Sequence, residues 1–254
     1  MGFYDLSKQE RKKLVYKIES EILSDLKKGQ DKSVLHYFSD EDTYIRKTGY
    51  LSIGKIHKTT KIPLSNITSL LDKLLQSDNE KVRQTTINAA GELGKTHFEA
   101  VVRFFDIGLF DEHHSVRNAV IGSIKKMGEK NPKPVLAWAN KYLHHPNKEV
   151  RREICHGIEL RGRKYPEDIL PLLKELERDP TARVKNTLIH VLGQIAYKKG
   201  CLETVVKALN TWQNKELVEK ALDEIVDVHY RYKSFAALSQ KEVVAFIDEH
   251  YVRK

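Results

Sequence analysis

The chain has 254 residues and a formal net charge of +9 at pH 7, with 40% hydrophobic and 31% charged residues. That balance lets a chain bury a core and stay in solution, and the absence of any run of about 18 apolar residues excludes a membrane-spanning helix. The basic charge favours a polyanionic partner, nucleic acid above all.

The two cysteines, Cys155 and Cys201, are too far apart in sequence to form a disulfide framework, and they suit a reducing compartment. The N-terminal sequence is charged and has no apolar signal core. We therefore expect a cytoplasmic protein with no membrane partner.

The first predicted element is a long charged helix over residues 7–29, which would cap the elements that follow. Residues 31–235 then repeat one pattern six times, in which a Val or Ile is usually followed by a basic residue and a helix. The last four steps between these anchor residues are 34 residues each and the first is 37. The anchors are Ile45, Val82, Val116, Val150, Val184 and Val218.

Each repeat contains two helical patterns. The first is short and apolar, as in residues 135–143 and 169–178, and a turn rich in Asp, Asn and Pro follows it. The second begins near the anchor and is apolar at the fourth, eighth and eleventh positions after it, which places one apolar stripe on the helix. A single hairpin cannot bury such a stripe, so neighbouring hairpins must stack.

The last predicted element is a short helix over residues 239–250, which opens with a Ser and a Glu three places on, the pattern of a capping box. The sequence therefore predicts an all-α fold. We expect an α-solenoid of about six HEAT-type helical hairpins, armadillo-like, in a single domain over residues 1–254 with capping helices at both ends.

The face opposite the apolar stripe consists of positions +2, +6, +9 and +13 from each anchor. It is polar and net basic, which fits either a groove that follows a phosphate backbone or a merely solvated surface. A mid-chain concentration of basic residues favours the groove: Arg151, Arg152, Arg161, Arg163 and Lys164.

Position +1 holds a basic residue in five repeats, and an Asp stands in several of the preceding turns. We expect each pair to form one step of a ladder along the stack, with under ~1 kcal/mol from each exposed pair. The basic residues are Arg46, Arg83, Arg117, Arg151 and Lys185, and the acids are Asp42, Asp78, Asp111 and Asp179.

No Gly-rich phosphate loop and no nucleophile elbow occur in the sequence. The adjacent pairs His113-His114 and His144-His145 lack the spacing of a zinc site, so we expect no metal and no cofactor.

His156 and His190 share position +6 in successive repeats, and stacking would bring them close enough to bind phosphate or to hydrogen-bond across the stack. Trp138 and Trp212 fall in first helices and are expected in the core rather than as platforms for base stacking.

The segment HPNKEVRREICHG resembles an HPN-x-x-VRR helix, and DPTARVKNTLIHVLGQIA followed by a Trp resembles the next repeat of the same proteins. Residues 145–212 thus resemble the HEAT-like-repeat alkylpurine DNA glycosylases, the AlkC/AlkD group. The resemblance implies a basic concave groove that cradles duplex DNA. In the active enzymes of that group, a carboxylate and aromatic residues stabilise the departing cationic base without flipping it.

Arg151 and Arg152 match the paired arginines of that group. His156 stands where its AlkC-like members place a Glu, Gln194 stands where they place an Asp, and the Trp-Trp-Asp run of AlkD-like members is absent. A cationic transition state needs a nearby negative charge. We expect Glu153 and Glu159, at +3 and +9, to face differently from +6.

The sequence therefore predicts a DNA-binding HEAT-like repeat protein related to DNA alkylation repair proteins, without the catalytic carboxylates of that group. A protein-binding scaffold is the first alternative and an active alkylpurine DNA glycosylase the second. The residues expected to contact duplex DNA are Lys47, Lys95, Lys125, Arg151, Arg152, His156, Arg163 and His190.

Overall fold

The computed structural model describes residues 2–252. Helices and turns make up this range, which contains no β-strand. Two compact units form along the chain, unit 1 from Met1–Asn131 and unit 2 from Pro132–Lys254. Each unit stacks helical hairpins, so the prediction of an all-α solenoid is confirmed.

Unit 1 begins with a helix that caps the hairpins. Ser7 and Glu10 form a capping box at its start, and Gly29 ends it with a left-handed φ of 65°. This agrees with the helix predicted over residues 7–29. The helices of unit 1 are α1 (Lys8–Lys28), α2 (Lys32–Phe38), α3 (Thr43–Thr59), α4 (Leu64–Leu75), α5 (Glu80–Gly108) and α6 (His114–Lys130), after a short 3₁₀ turn at Phe3–Asp5.

Helix α5 serves two successive hairpins. His97 has non-helical angles (φ −131°, ψ 54°) and divides α5 by a kink instead of a loop. The part before the kink pairs with α4, and residues 98–108 serve as the first helix of the hairpin that α6 completes. Unit 1 thus contains three hairpins, and its second helices are α3, the first part of α5, and α6.

Unit 2 repeats this plan. Its helices are α7 (Pro132–Asn140), α8 (Lys148–Gly157), α9 (Glu159–Gly162), α10 (Leu170–Lys174), α11 (Ala182–Ala196), α12 (Leu202–Leu209), α13 (Lys215–Arg231) and α14 (Gln240–His250), with a 3₁₀ turn at Pro166–Asp168. Its second helices are α8 with α9, α11, and α13. Ser239 and Glu242 form the predicted capping box of α14.

Two first helices of unit 2 end earlier than predicted. The helices expected over residues 135–143 and 169–178 end as α-helices at Asn140 and Lys174. Beyond those points the backbone continues in tighter turns, in which each N–H donates to the carbonyl three residues earlier. Apolar periodicity does not separate these two winding patterns over a few residues.

The anchors and the apolar stripes form the cores of the two units. Five of the six anchors are buried, and Ile45, at the first hairpin, is half-buried. The apolar stripe of α6, for example, is buried at Val120, Ile124 and Met127. Trp138 and Trp212 are buried, as expected.

Both cysteines are buried free thiols, which agrees with the expectation of no disulfide. Burial raises the pKa of the Cys155 thiol.

The predicted ladder is present, but its partners differ from those expected. Arg83 donates from Nε and Nη2 to Asp111, the aspartate of the following turn, at 2.8 and 3.1 Å. Its Nη1 donates to the backbone carbonyls of Ser77 and Asp78 in the preceding turn. The guanidinium therefore bridges two successive turns, and the predicted side-chain pair between Arg83 and Asp78 is wrong.

The same arrangement recurs in unit 2. Arg151 donates to Asp179 at 2.6 and 3.2 Å and to the carbonyls of His145 and Pro146. Only 11% of the Arg151 side chain and 3% of the Asp179 side chain are exposed. These steps of the ladder are buried pairs, whereas the sequence analysis treated them as exposed ones.

No helix in the described range combines the length and the apolar character that crossing a bilayer requires.

Candidate functional site

Total charge does not distinguish the two units. Residues 1–131 contain 22 Lys and Arg against 18 Asp and Glu, and residues 132–254 contain 22 against 17. What differs is how these charges are arranged on the polar side of the second helices. We call the polar side of α3, α5 and α6 the unit 1 face, and the polar side of α8–α9, α11 and α13 the unit 2 face.

The unit 1 face centres on one largely buried carboxylate. Glu92 of α5 lies 2.5 Å from Nζ of Lys95 and 3.9 Å from Nζ of Lys126, which belongs to α6. The ammonium of Lys126 also lies 5.2 Å from the centre of the Tyr50 ring of α3. Side chains from all three second helices therefore meet at Glu92.

A glycine allows the close approach of α3 and α5 at this point. A Cβ atom added to Gly54 of α3 would stand 2.8 Å from the Cβ of Glu92. No larger residue fits there without displacing α5. The glycine thus fixes the position of the carboxylate that the lysines surround.

Lysines outnumber carboxylates on the unit 1 face. Lys47 and Lys58 are exposed, and Lys95, Lys125 and Lys126 are half-buried, against the carboxylates Glu92 and Glu129.

Two pKa shifts reflect the crowding on this face. Burial raises the pKa of Tyr50, and the charges of Lys47 and Lys95 partly offset that rise. Burial lowers the pKa of Lys126, while Glu92 opposes the change. Lys47 therefore acts electrostatically on the same cluster as Lys95.

The unit 2 face carries an open depression of about 570 Å³ between α8 and α11. Arginine, histidine, asparagine and threonine side chains line it, among them Arg152, His156, Arg183, Asn186 and His190. Three of these five residues belong to the set expected to contact DNA.

Arginines on the unit 2 face lie against carboxylates. Glu149 accepts from Nε of Arg152 at 2.9 Å and lies 3.2 Å from Nη1 of Arg183, which joins α8 to α11. Arg231 contacts Glu224 at 2.7 Å and Asp227 at 2.5 Å. Much of the positive charge on this face is thus balanced within the face.

The mid-chain concentration of basic residues is balanced in the same way. Arg161 pairs with Asp168 at 2.6 Å, and Arg163 donates to Glu159 and, at 2.9 Å, to Oε1 of Gln194. A planar guanidinium matches a carboxylate well, and such pairs form wherever the fold brings the two together. A count of basic residues in the sequence does not include these partners.

Arg151 is not on the unit 2 face. Its guanidinium is buried in the ladder, where Asp179 and two backbone carbonyls take its donors. Placing it among the residues that contact DNA was wrong, because position +1 faces the neighbouring turn.

His156, Glu159 and His190 form a cluster on the unit 2 face. His156 Nε2 lies 3.1 Å from Oε2 of Glu159, and the centres of the two imidazole rings are 6.0 Å apart. The expected proximity of the two histidines is therefore found. The expectation that Glu159 faces away from His156 was wrong, since residues three apart on a helix lie on the same side.

The remaining residues expected to contact DNA divide between the units. Lys47, Lys95 and Lys125 belong to unit 1, and Arg152, His156, Arg163 and His190 belong to unit 2. The sequence analysis missed Glu92, Lys126 and Arg183. Glu92 and Lys126 lie one residue past position +9, about 100° further round the helix, at the edge of the predicted stripe.

Solved structures similar to this chain are helical-repeat proteins. AlkD2 from Streptococcus mutans matches with a TM-score of 0.56 and 18% identity, over 84% of this chain and 100% of AlkD2. The protein smu.31 from Streptococcus mutans UA159 matches with a TM-score of 0.56 and 19% identity, over 75% of this chain and 96% of that one. The N-terminal domain of MAST/Orbit matches with a TM-score of 0.52 and 17% identity, over 78% and 97%.

No protein-family model matches the sequence. No curated protein matches it at a significant level. The structural likeness shows the fold, and the expected resemblance to HEAT-like repeat proteins of the AlkD kind is confirmed at that level.

Proposed function

We propose that this chain is a DNA-binding HEAT-like repeat protein whose unit 1 face makes the principal contacts with the phosphates of a duplex. The observation that carries the proposal is the excess of lysine over carboxylate on that face. Lysine is a compact point charge that contacts phosphate without needing a fixed planar geometry. The likeness of the fold to AlkD2 supports DNA over other polyanions.

The arginines of the unit 2 face have a smaller part in this proposal. A phosphate that approaches Arg152 or Arg231 must compete with carboxylates already in contact with the guanidinium. In Arg163, Nε and Nη2 donate to Glu159 and Nη2 also donates to Gln194, so a phosphate must compete with these acceptors as well. We therefore expect unit 2 to contribute fewer phosphate contacts than unit 1.

The test is the affinity for a fluorescent duplex as a function of salt. If about four phosphates are neutralised, the affinity should fall about a hundredfold between about 50 mM and 200 mM salt. The triple variant Lys47→Gln, Lys58→Gln, Lys126→Gln should bind at least about tenfold more weakly and lower the slope of log affinity against log salt by about three.

The matched control removes the same charge from the other side of unit 1. Lys32, Lys61 and Lys73 are exposed and lie on or beside the first helices α2 and α4. Replacing these three by Gln should leave the salt slope unchanged. Equal loss in the two triple variants would show that only net charge matters, and the assignment to the unit 1 face would be wrong.

Two further results separate the alternatives. A scaffold protein would show no duplex binding even at low salt, and would bind a partner protein instead. An active glycosylase would release base from an alkylated duplex, so the same experiment should measure released base beside binding. Release by the purified chain would establish the second alternative, against the expectation from His156 and Gln194.

A further inference from the structure

We infer that His156, Glu159 and His190 form a binding site for a divalent transition-metal ion, zinc first among them, on the unit 2 face. One ligand atom from each of the three residues lies within 4.8 Å of the other two. This inference is independent of DNA binding and revises the expectation, drawn from adjacent histidine pairs alone, that the chain holds no metal.

The ligand set is the first argument. Two imidazoles and one carboxylate, with one position left for water, are a recurrent set for zinc in proteins. Nitrogen ligands disfavour Ca²⁺ and Mg²⁺, which prefer oxygen. The cluster thus selects for a first-row transition metal.

The distances are the second argument. In a tetrahedral zinc site with bonds of about 2.1 Å, ligand atoms stand about 3.4 Å apart. His156 Nε2 and Glu159 Oε2 are 3.1 Å apart, so these two ligands already have the required separation. Only His190 must move, by up to about 1.4 Å to bring a separation of 4.8 Å to about 3.4 Å, and its side chain is 45% exposed, so a small rotation of the side chain suffices.

The surroundings are the third argument, because residues behind the ligands hold them in place. Glu159 is buried, and Arg163 binds its Oε1, which leaves Oε2 directed at His156. Glu224 Oε1 lies 3.6 Å from Nδ1 of His190. A carboxylate beside one nitrogen of an imidazole orients the other nitrogen of the ring toward a metal. Such partners commonly accompany metal-binding histidines.

Access is the fourth argument. His156 and His190 line the open depression of the unit 2 face, so an ion can reach them from solvent. The buried carboxylate of Glu159, in contact with His156, supplies the negative charge behind the two half-exposed imidazoles. A site of this form keeps one coordination position on the solvent side.

The experiment uses the full chain, free of affinity tags and stripped with a chelator. Zinc is titrated by calorimetry, and bound metal is counted by elemental analysis after dialysis. We expect one zinc per chain. His190→Ala should lower the affinity at least about tenfold, since loss of even an outer partner costs that much. His190 is on the surface, so circular dichroism should show unchanged helicity.

The matched control is His144→Ala with His145→Ala, which removes two histidines from a surface turn of the same unit. That variant should bind zinc as the unaltered chain does. X-ray absorption of the zinc-loaded chain should show two imidazole nitrogens and a carboxylate oxygen at about 2.0–2.2 Å.

Three results would overturn the inference. They are the absence of zinc binding by the unaltered chain, equal affinity in His190→Ala, and loss of zinc in the His144 and His145 variant. The variant Glu159→Gln should also lower the zinc affinity; if it fails to fold because Arg163 loses its partner, His190→Ala alone decides the question.

Discussion

Lysines on the unit 1 face outnumber the carboxylates beside them. On the unit 2 face, by contrast, a carboxylate lies against each of four arginines, Arg152, Arg163, Arg183 and Arg231. The two units have nearly the same net charge, so the difference lies in pairing. A guanidinium matches a carboxylate well, and most of these carboxylates lie within two turns of the arginine on the same helix, whereas Glu149 joins Arg183 from the neighbouring helix. Counting basic residues therefore does not distinguish the two faces, whereas comparing them with the carboxylates beside them does.

The largest expected effect concerns the buried ladder, which both units share. Asp179→Ala leaves the Arg151 guanidinium buried without its carboxylate and should lower the free energy of unfolding by about 3 kcal/mol or more. Asp111→Ala should act similarly on Arg83 in unit 1. Chemical denaturation of each variant measures the loss.

An exposed pair provides the control for the ladder. Arg103 and Asp72 make the same two hydrogen bonds, at 2.9 and 2.8 Å, but both side chains are more than 40% exposed. Asp72→Ala should therefore cost under ~1 kcal/mol. If Asp72→Ala and Asp179→Ala destabilise equally, burial does not explain the strength of the ladder.

The ladder also makes the stability of the fold depend on pH. Burial alone would raise the pKa of Asp179, but its hydrogen bonds from Arg151 and Thr181 outweigh burial and hold the pKa below the usual 3.8. The unfolded chain therefore takes up a proton at a higher pH than the folded one. The contribution of Asp179 to stability is present above about pH 4 and is lost as the pH falls through the lowered pKa.

An effect of intermediate size is expected on duplex affinity when one carboxylate is neutralised on each face. Glu92→Gln removes the charge that holds Lys95 and Lys126, and should tighten duplex binding two- to threefold, the value of one unit charge about 8 Å away in water. Glu224→Gln makes the same change on the unit 2 face, beside Arg231. Fluorescence anisotropy at low salt should detect a gain for the first variant and none for the second.

Equal gains in the two variants would mean that both faces approach the duplex, and the contrast drawn between them would fail.

The smallest expected effect compares two histidines, one in each unit. His229 of unit 2 is buried, its Nδ1 lies 2.7 Å from the carbonyl of Ile225, and burial lowers its pKa below 6.5. His57 of unit 1 is half-buried, and burial together with His97 lowers its pKa. At mildly acidic pH, both should therefore bind fewer protons in the folded chain than in the unfolded chain.

Because these folded pKa values are lowered, the two histidines contribute full stability above pH 6.5, and the contribution falls as the pH drops toward the folded pKa. The slope is at most about 1.4 kcal/mol per pH unit for one group. His229→Gln should reduce the decline in Tm between neutral and mildly acidic pH more than His57→Gln does, since His229 is more deeply buried. An identical decline in the unaltered chain and His229→Gln would contradict this expectation.

The sequence was sufficient for the features that depend on local periodicity. The apolar stripes and the capping box at Ser239 involve residues within a few turns of each other, and the 34-residue step is visible in the sequence itself; the fold places all three as predicted. The partners of the ladder arginines were not predictable in this way. Asp111 lies 28 residues from Arg83, and only the stacking of hairpins determines that they meet.

The cluster of His156, Glu159 and His190 combines a contact that local spacing predicts with features that depend on the stacking of hairpins. The proximity of His156 and Glu159 follows from their spacing on one helical turn and could have been read from the sequence. The inclusion of His190 depended on aligning repeats 34 residues apart. The depth at which Glu159 is buried, which sets the character of the cluster, follows from the packing of α9 and is not encoded in any local pattern.

The bridging arginines also bear on synthesis of the chain. Arg83 belongs to one hairpin, but its carboxylate partner is translated 28 residues later, in the turn of the next hairpin. At a translation rate of about 5–20 residues per second, Arg83 is synthesised about 1–6 s before Asp111. Each hairpin that carries such an arginine therefore reaches its final stability only after its successor emerges, and the order of assembly follows the direction of translation.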